Sequence, residues 1–97
     1  MSKKLPSYLI VESDRVIVSL SKPAEVNGVQ VDKLTLRAPT VRDVRAATST
    51  TGDDEQREVN LFASLAEVGV KDLEGLTLKD YTRLQAGYFR LVQEDEL

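Results

Sequence analysis

Polar and apolar side chains alternate along residues 16 to 36, and this spacing of two predicts β-strands. Asn27-Gly28 interrupts the alternation between Val26 and Val29. This dipeptide favours a two-residue type I′ turn, because both central residues of that turn need a positive φ. The stretch therefore predicts a β-hairpin whose register is fixed by its turn.

The apolar positions change phase beyond the turn. If the ladder continued without a break, Leu34 and Leu36 would lie on the opposite face from Val29. One extra residue at Asp32/Lys33, a β-bulge, would restore a single apolar face. The predicted pairs beyond the bulge are Lys22–Leu34, Leu20–Leu36 and Val18–Ala38. The predicted inward-facing side chains are Val16, Val18, Leu20, Ala24, Val26, Val29, Val31, Leu34 and Leu36.

Residues 1 to 15 leave two alternatives open. The propensities of Tyr8 to Val11 suit a short edge strand, with the polar residues 12–15 returning the chain to the hairpin. The same segment could instead be an arm that orders only against a partner.

Two helices are predicted directly after the hairpin. Thr40, followed three residues later by Asp43, resembles a capping box and begins a short helix from Val41 to about Thr48. The two aspartates at 53–54 begin the next helix, because acidic side chains favour the positive end of the helix dipole. That helix ends at Gly69. Its apolar face consists of Val59, Leu61, Phe62, Leu65, Ala66 and Val68.

The last predicted helix is the longest. Thr77 with Asp80 repeats the capping pattern and begins a helix from Leu78 to about Gln93, after a passage with room for one helical turn at Asp72 to Glu74. The predicted apolar side carries Leu78, Tyr81, Leu84, Tyr88, Phe89, Leu91 and Val92. The predicted polar side carries Lys79, Thr82, Arg83, Ala86, Gly87 and Arg90.

The order of the elements, strands first and helices afterwards, predicts the α+β class. We expect an N-terminal β-hairpin, with its Asn-Gly turn and its bulge near Asp32/Lys33, packed against three C-terminal α-helices. The domain organisation is an arm or edge strand at 1–15, one α+β domain at 16–93 and an acidic tail at 94–97.

Composition narrows the function classes. The chain has 97 residues, no Cys and no His, so it lacks the commonest general base, transition-metal ligand and thiol nucleophile. We therefore expect no enzyme activity, no cofactor and no metal. The acidic run at 53–55 lacks the spacing of a calcium loop, and it is interpreted as a helix start. No apolar stretch reaches membrane-spanning length.

Charge argues against nucleic acid as the default partner. The net charge is −3 and the isoelectric point is near 4.9, whereas binding to phosphate backbones needs a basic face. Lys79, Arg83 and Arg90 nevertheless fall on one stripe of the last helix. The stripe is a solvated face, a site for an acidic partner segment, or the reading helix of a helix-turn-helix DNA-binding regulator.

Three segments carry a resemblance to a known family. They are LSKPAEVNGVQVDKLTLRAPTVRD, GDDEQREVNLFASLAEV and LEGLTLKDYTRLQ. In their order and spacing they resemble the small tail assembly chaperones of Mu-like and related contractile-tailed bacteriophages, over roughly Val16 to Val92.

The resemblance implies an assembly factor that acts in the host cell cytoplasm and is absent from the mature virion. Such proteins coat the helical tape-measure protein while tail-tube subunits assemble around it. The wide apolar helical faces suit such a client, although ordinary burial or a homo-oligomer would also use them. The first candidates for contact are Leu61, Leu65, Tyr88 and Phe89. A structural tail component remains a further alternative.

Overall fold

A computed structural model of the chain describes residues 6–49 and 52–93. Its elements are β1 (Leu9–Val11), β2 (Arg15–Val26), β3 (Val29–Arg37), α1 (Val41–Thr48), α2 (Asp54–Ala66), α3 (Val70–Glu74) and α4 (Leu78–Val92). The strands form one antiparallel sheet in the order β1-β2-β3. The α+β class is confirmed, while the predicted acidic tail at 94–97 lies outside the described residues.

The structure contains two short elements, β1 and α3, in addition to the predicted hairpin and three helices. Of the alternatives for the N-terminal segment, the structure has the edge strand, since β1 pairs with β2 through Leu9↔Val18 and Val11↔Val16. The single helical turn α3 occupies the passage between α2 and α4.

The turn of the hairpin has the backbone that its sequence requires. Asn27 and Gly28 have φ values of 53° and 79°, both in the left-handed region. Val26 pairs with Val29 beyond this turn, as a two-residue loop dictates. Val29 was nevertheless predicted to face inward, and that is wrong, because its side chain is 61% exposed.

The break in the ladder lies on the other strand from the predicted one. Ser19 pairs with Lys33 and Ala24 with Val31, so residues 20–23 of β2 stand opposite the single residue Asp32 of β3. The extra residues therefore belong to β2 rather than to Asp32/Lys33. The predicted pairs Lys22–Leu34, Leu20–Leu36 and Val18–Ala38 are wrong; Leu34 pairs with Val18 and Leu36 with Val16.

A buried carboxylate explains why β2 can accommodate the break. The backbone N–H of Ser21, which has left the ladder, donates to Oδ1 of Asp80 at 2.7 Å. Pro23, in the same segment, has no N–H to satisfy. Asp80 is fully buried at the start of α4. A helix residue thus replaces the partner strand for this part of β2.

Side chains cap the three longer helices at their first free N–H groups. The capping box predicted at α1 is present, with the Asp43 N–H donating to Thr40 Oγ1 at 3.2 Å and the Thr40 N–H donating to Asp43 Oδ2 at 2.8 Å. Asp53 accepts from the Gln56 N–H at 2.9 Å. Thr77 accepts from the Asp80 N–H at 3.2 Å, while the Asp80 carboxylate turns to the sheet.

Helix α2 ends earlier than predicted. Its last residue is Ala66, and Glu67 adopts the left-handed conformation with φ 59°. Gly69 instead precedes α3 as its cap residue. The predicted end at Gly69 is therefore wrong, and Glu67, a non-glycine residue, makes the turn that ends α2.

The helices cover one face of the sheet. Helix α2 packs on β3, α4 packs on β2 and β1, and α1 packs against α2. Phe62 of α2 is fully buried, with its ring centroid 5.7 Å from that of Tyr81 and 5.1 Å from that of Tyr88. The core is therefore one cluster shared by the sheet, α2 and α4.

Helix α4 is rotated relative to the predicted apolar face. Gly87, assigned to the polar side, is buried against the sheet, where an added Cβ would lie 3.1 Å from Val18 Cγ2 and 3.2 Å from Val16 Cγ1. Leu78 and Phe89, assigned to the apolar side, are 79% and 59% exposed. The rotation of α4 about its axis is set by the close approach at Gly87 and by the Asp80 contact. It is not set by the position of the largest apolar side chains on the helix.

Candidate partner-binding cleft

An apolar cleft of about 210 Å³ lies where α1, α2 and α4 meet. Its lining residues are Val44, Ala47 and Thr48 of α1, Arg57, Glu58, Leu61 and Phe62 of α2, and Tyr88 of α4. Most of the surface that these residues present is hydrocarbon, which suits an apolar side chain from another polypeptide.

The α1 wall of the cleft is held by an ion pair to the sheet. Arg37, the last residue of β3, donates from Nη1 and Nη2 to the two oxygens of Asp43 at 2.7 and 3.0 Å. The Arg37 hydrogen bonds, together with the Thr40 N–H, hold the pKa of the Asp43 carboxyl well below its usual range. Asp43 therefore joins α1 to the end of β3 while it caps its own helix.

The wall between α2 and α4 is held by Glu58. Its Oε1 accepts from the Tyr81 hydroxyl at 2.7 Å and from Gln85 Nε2 at 3.0 Å. Burial, reinforced by the Glu58 hydrogen bond, raises the pKa of Tyr81 well above its usual range. Both walls of the cleft are thus fixed by polar contacts at its margins, whereas its interior is apolar.

Exposed apolar side chains also stand on two of the helices that form the cleft. On α1 they are Val44, which lines the cleft, and Val41 one turn earlier. On α4 they are Phe89 and Val92, and Val92 lies one turn beyond Tyr88 on the same side of the helix. We call these four residues the apolar rim.

The structure separates the four apolar site residues predicted from the sequence. Leu61 and Leu65 are buried in the core, so Leu65 cannot contact a partner in this fold. Leu61 forms only the inner wall of the cleft, which Tyr88 also lines. Phe89 is exposed. Helix α2 has β3 on one side and α1 on the other, and its wide apolar arc is used by both.

The predicted basic stripe is not one free surface. Arg83 donates from Nη1 to the Ser19 carbonyl at 2.9 Å, and its guanidinium lies 4.5 Å from the centroid of the Tyr8 ring. These contacts fix Arg83 against the sheet edge. Lys79 is exposed and Arg90 is half-buried. Only part of the stripe is therefore available to an acidic partner.

Sequence reasoning missed the contribution of α1. Its sequence predicts only a short helix with a thin apolar side, formed by Val41, Val44 and Ala47. Of these, only Ala47 is buried. The signal that could have found the site is that Val41 and Val44 are one turn apart on a helix with little else to bury.

The buried Asp80 has a structural explanation. Its burial, the largest influence, would raise the pKa of the carboxyl, but hydrogen bonds from the Ser21 and Lys22 segment and the charge of Arg83 lower it overall. The carboxylate borders a polar cleft of about 500 Å³ between β2 and α3. Because it is already bound by backbone N–H groups, it is not a free acid or base.

The acidic run at 53–55 acts as a helix start in the structure. Asp53 caps α2, and Asp54 pairs with Arg57 Nη1 at 3.2 Å. Within the described ranges, no cluster of three acidic, His or Cys side chains has the arrangement to hold a metal ion. Of the helices in those ranges, none combines the length and apolar character needed to cross a membrane.

Comparison with known proteins gives one match. The model of a family described as "Phage tail assembly chaperone proteins, E, or 41 or 14" matches residues 18–93. A search of curated proteins and a search of solved structures each gave no match. The matched range runs from within β2 to the residue after α4 and covers most of the 97 residues. The chain therefore belongs to the family of phage tail assembly chaperones.

Proposed function

We propose that the protein binds the tape-measure protein of its phage through the cleft and the apolar rim. The observation that supports this is the apolar cleft, together with Val41, Val44, Phe89 and Val92, which are 38% to 77% exposed on the helices that form it. Exposed apolar side chains beside an apolar cleft suit the apolar face of a client helix.

The proposed role is protective and temporary. Several copies along one tape-measure protein would cover its apolar surface in the host cytoplasm until tail-tube subunits assemble around it. Each contact is small, so affinity per site is modest and stable coating depends on many sites along one client. The chaperone then leaves, and it performs no bond-making chemistry.

Co-expression with the tape-measure protein tests the proposal. The wild-type chain should raise the soluble fraction of the client and co-purify with it. Phe89→Ser combined with Val92→Ser should abolish both effects, because it makes the α4 part of the rim polar. The matched control is Leu78→Ser, which makes the same kind of change at a side chain that is 79% exposed at the first residue of the same helix, about three turns before Phe89.

The folded state of each variant is checked by its thermal unfolding curve. Equal client solubility with the wild type and the rim variant would contradict the proposal. So would an equal loss with Leu78→Ser. Blotting purified virions and infected-cell lysate for the chain separates an assembly factor from a structural tail component, since only the latter stays in the particle.

A further inference from the structure

We infer that the client segment seated in the cleft is an amphipathic helix with acidic side chains beside its apolar seam. This rests on the proposed function and adds the charge of the client. The cleft itself favours a polypeptide, because about 210 Å³ is smaller than the usual 300–1,000 Å³ of a small-molecule pocket. One large apolar side chain is a better match to it.

The surface beside the cleft is basic although the chain as a whole is acidic, with a net charge of −3. Arg42 and Arg45 line a shallow groove on α1, and Thr48 borders both that groove and the cleft. Neither arginine forms an ion pair with any residue in the part of the chain that the structure describes. Two free guanidinium groups thus lie next to an apolar site.

The order of side chains around α1 sets the register of a partner. At 100° per residue, the helix surface passes from the buried Ala47 to Val44, then to Val41, and then to Arg45 and Arg42. A helix whose apolar seam contacts Val41 and Val44 therefore has one flank over the two arginines. Acidic side chains on that flank would form charge-assisted hydrogen bonds with them.

A third guanidinium stands at the cleft wall. Arg57 Nη1 pairs with the exposed Asp54, but its Nε is buried and has no hydrogen-bond partner among residues 6–49 and 52–93. An unsatisfied donor of this kind is costly. The Arg57 side chain is 40% exposed, so its guanidinium adds a third positive charge that attracts a client carboxylate beside the cleft.

The same charges argue against a second copy of this chain as the occupant. A two-fold contact through α1 would place Arg42 and Arg45 opposite their own counterparts, and like charges in such an interface repel. A client with acidic flanks removes this repulsion and neutralises the arginines.

Two labelled 18-residue peptides provide the test. Both carry leucines at helical spacing along one face, and their flanks carry glutamates in one peptide and lysines in the other. Fluorescence anisotropy should show the glutamate peptide binding the wild-type chain about tenfold more tightly at low salt, with the difference shrinking as salt rises. Arg42→Glu combined with Arg45→Glu should reverse the preference.

The matched control is Lys33→Glu combined with Lys71→Glu, which changes the net charge equally at exposed sites on β3 and α3 that do not line the cleft. If both double variants keep the wild-type preference, or if neither peptide binds the wild type, the inference is overturned.

Pull-down of the tape-measure protein separates this failure from failure of the proposed function. Loss of the client with the Phe89/Val92 variant, but normal binding with Arg42→Glu/Arg45→Glu, would refute the charge inference alone. Normal binding with both would refute the proposed binding surface as well.

Discussion

The two sides of α4 use their side chains in different ways. On the side facing the sheet, Gly87 brings the helix close to β2 and Asp80 binds the backbone of β2, with Leu84 fully buried between them. On the outward side, Phe89 and Val92 are 59% and 48% exposed. The side of α4 that faces the sheet completes the packing of the core, and the outward side takes no part in it.

Apolar content and burial are thus separate properties of a helix. The sheet contact was set by a glycine, a carboxylate and a leucine, a combination that a hydrophobicity pattern does not rank highly. Phe89, the largest purely hydrocarbon side chain of α4, is left outside. Stability should therefore depend on the inner side, and client binding on the outer side.

The largest effect is expected from a pair of phenylalanine substitutions. Phe62→Ala should lower the free energy of unfolding by about 3–5 kcal/mol, because it empties a site at the centre of the core. Phe89→Ala, the same change on the outer side, should alter it by no more than about 0.5 kcal/mol. Urea unfolding followed by circular dichroism measures both.

When client binding is measured per folded molecule, the order of the two variants should reverse. Phe89→Ala should weaken binding of the tape-measure protein, whereas Phe62→Ala should lower the yield of folded chain. If Phe89→Ala destabilises the domain as much as Phe62→Ala, the outer side belongs to the core and the comparison fails.

The next effect concerns the buried carboxylate. Asp80→Ala should cost about 2–3 kcal/mol in the free energy of unfolding, because it leaves the Ser21 N–H without its acceptor in a buried site. The control is Asp72→Ala, whose carboxylate accepts backbone N–H groups from Gly69 at 3.0 Å and Asn27 at 3.4 Å in an exposed setting. A much smaller loss is expected there.

The same carboxylate predicts a pH dependence. The pKa of Asp80 is lower in the folded chain than the ordinary value of about 3.9. Its stabilising contribution is thus present above that ordinary value and is lost as the pH falls through the folded pKa. The stability difference between the wild type and Asp80→Asn should therefore shrink between pH 7 and pH 3, and a constant difference would contradict it.

Local signals predicted most of the elements. The Asn27-Gly28 turn, the Thr40 and Thr77 caps and the Asp53 start each depend on a few neighbouring residues, and the structure has each of them. The α+β class follows from the order of those elements. Such features need no knowledge of distant contacts, which is why the sequence carries them plainly.

The features that were mispredicted depend on distant contacts. The register break lies on β2 because Asp80, 59 positions away from Ser21, accepts its N–H. The rotation of α4 depends on space beside Val16 and Val18. The burial of Leu65 was likewise not predicted, because the wide apolar arc of α2 gave no sign that β3 and α1 would share it.

A smaller effect on stability is expected at the ion pair that positions α1. Arg37→Ala removes both hydrogen bonds to Asp43, so α1 loses its connection to β3 while the core remains intact. Amide hydrogen exchange should increase in α1 and remain unchanged in α4, and client binding should weaken because one wall of the cleft moves.

The conservative control at the same position is Arg37→Lys, which keeps the charge but cannot make the two parallel hydrogen bonds. Intermediate exchange in α1 is expected. If α1 exchanges equally fast in the wild type and in Arg37→Ala, the ion pair does not position the helix.

The smallest effect should come from Val29→Thr. Val29 is 61% exposed, about as much as Phe89, but it lies at the hairpin turn and not on a helix that lines the cleft. Threonine keeps the β-branched shape that suits a strand, so stability should stay within about 0.5 kcal/mol of the wild type. Client binding should also be unchanged, because exposure alone does not make a binding site; α4 differs in contributing Tyr88 to an apolar cleft. Loss of the tape-measure protein from pull-downs with Val29→Thr would mean that the client contacts the hairpin, and the binding surface would then have to extend beyond the helices.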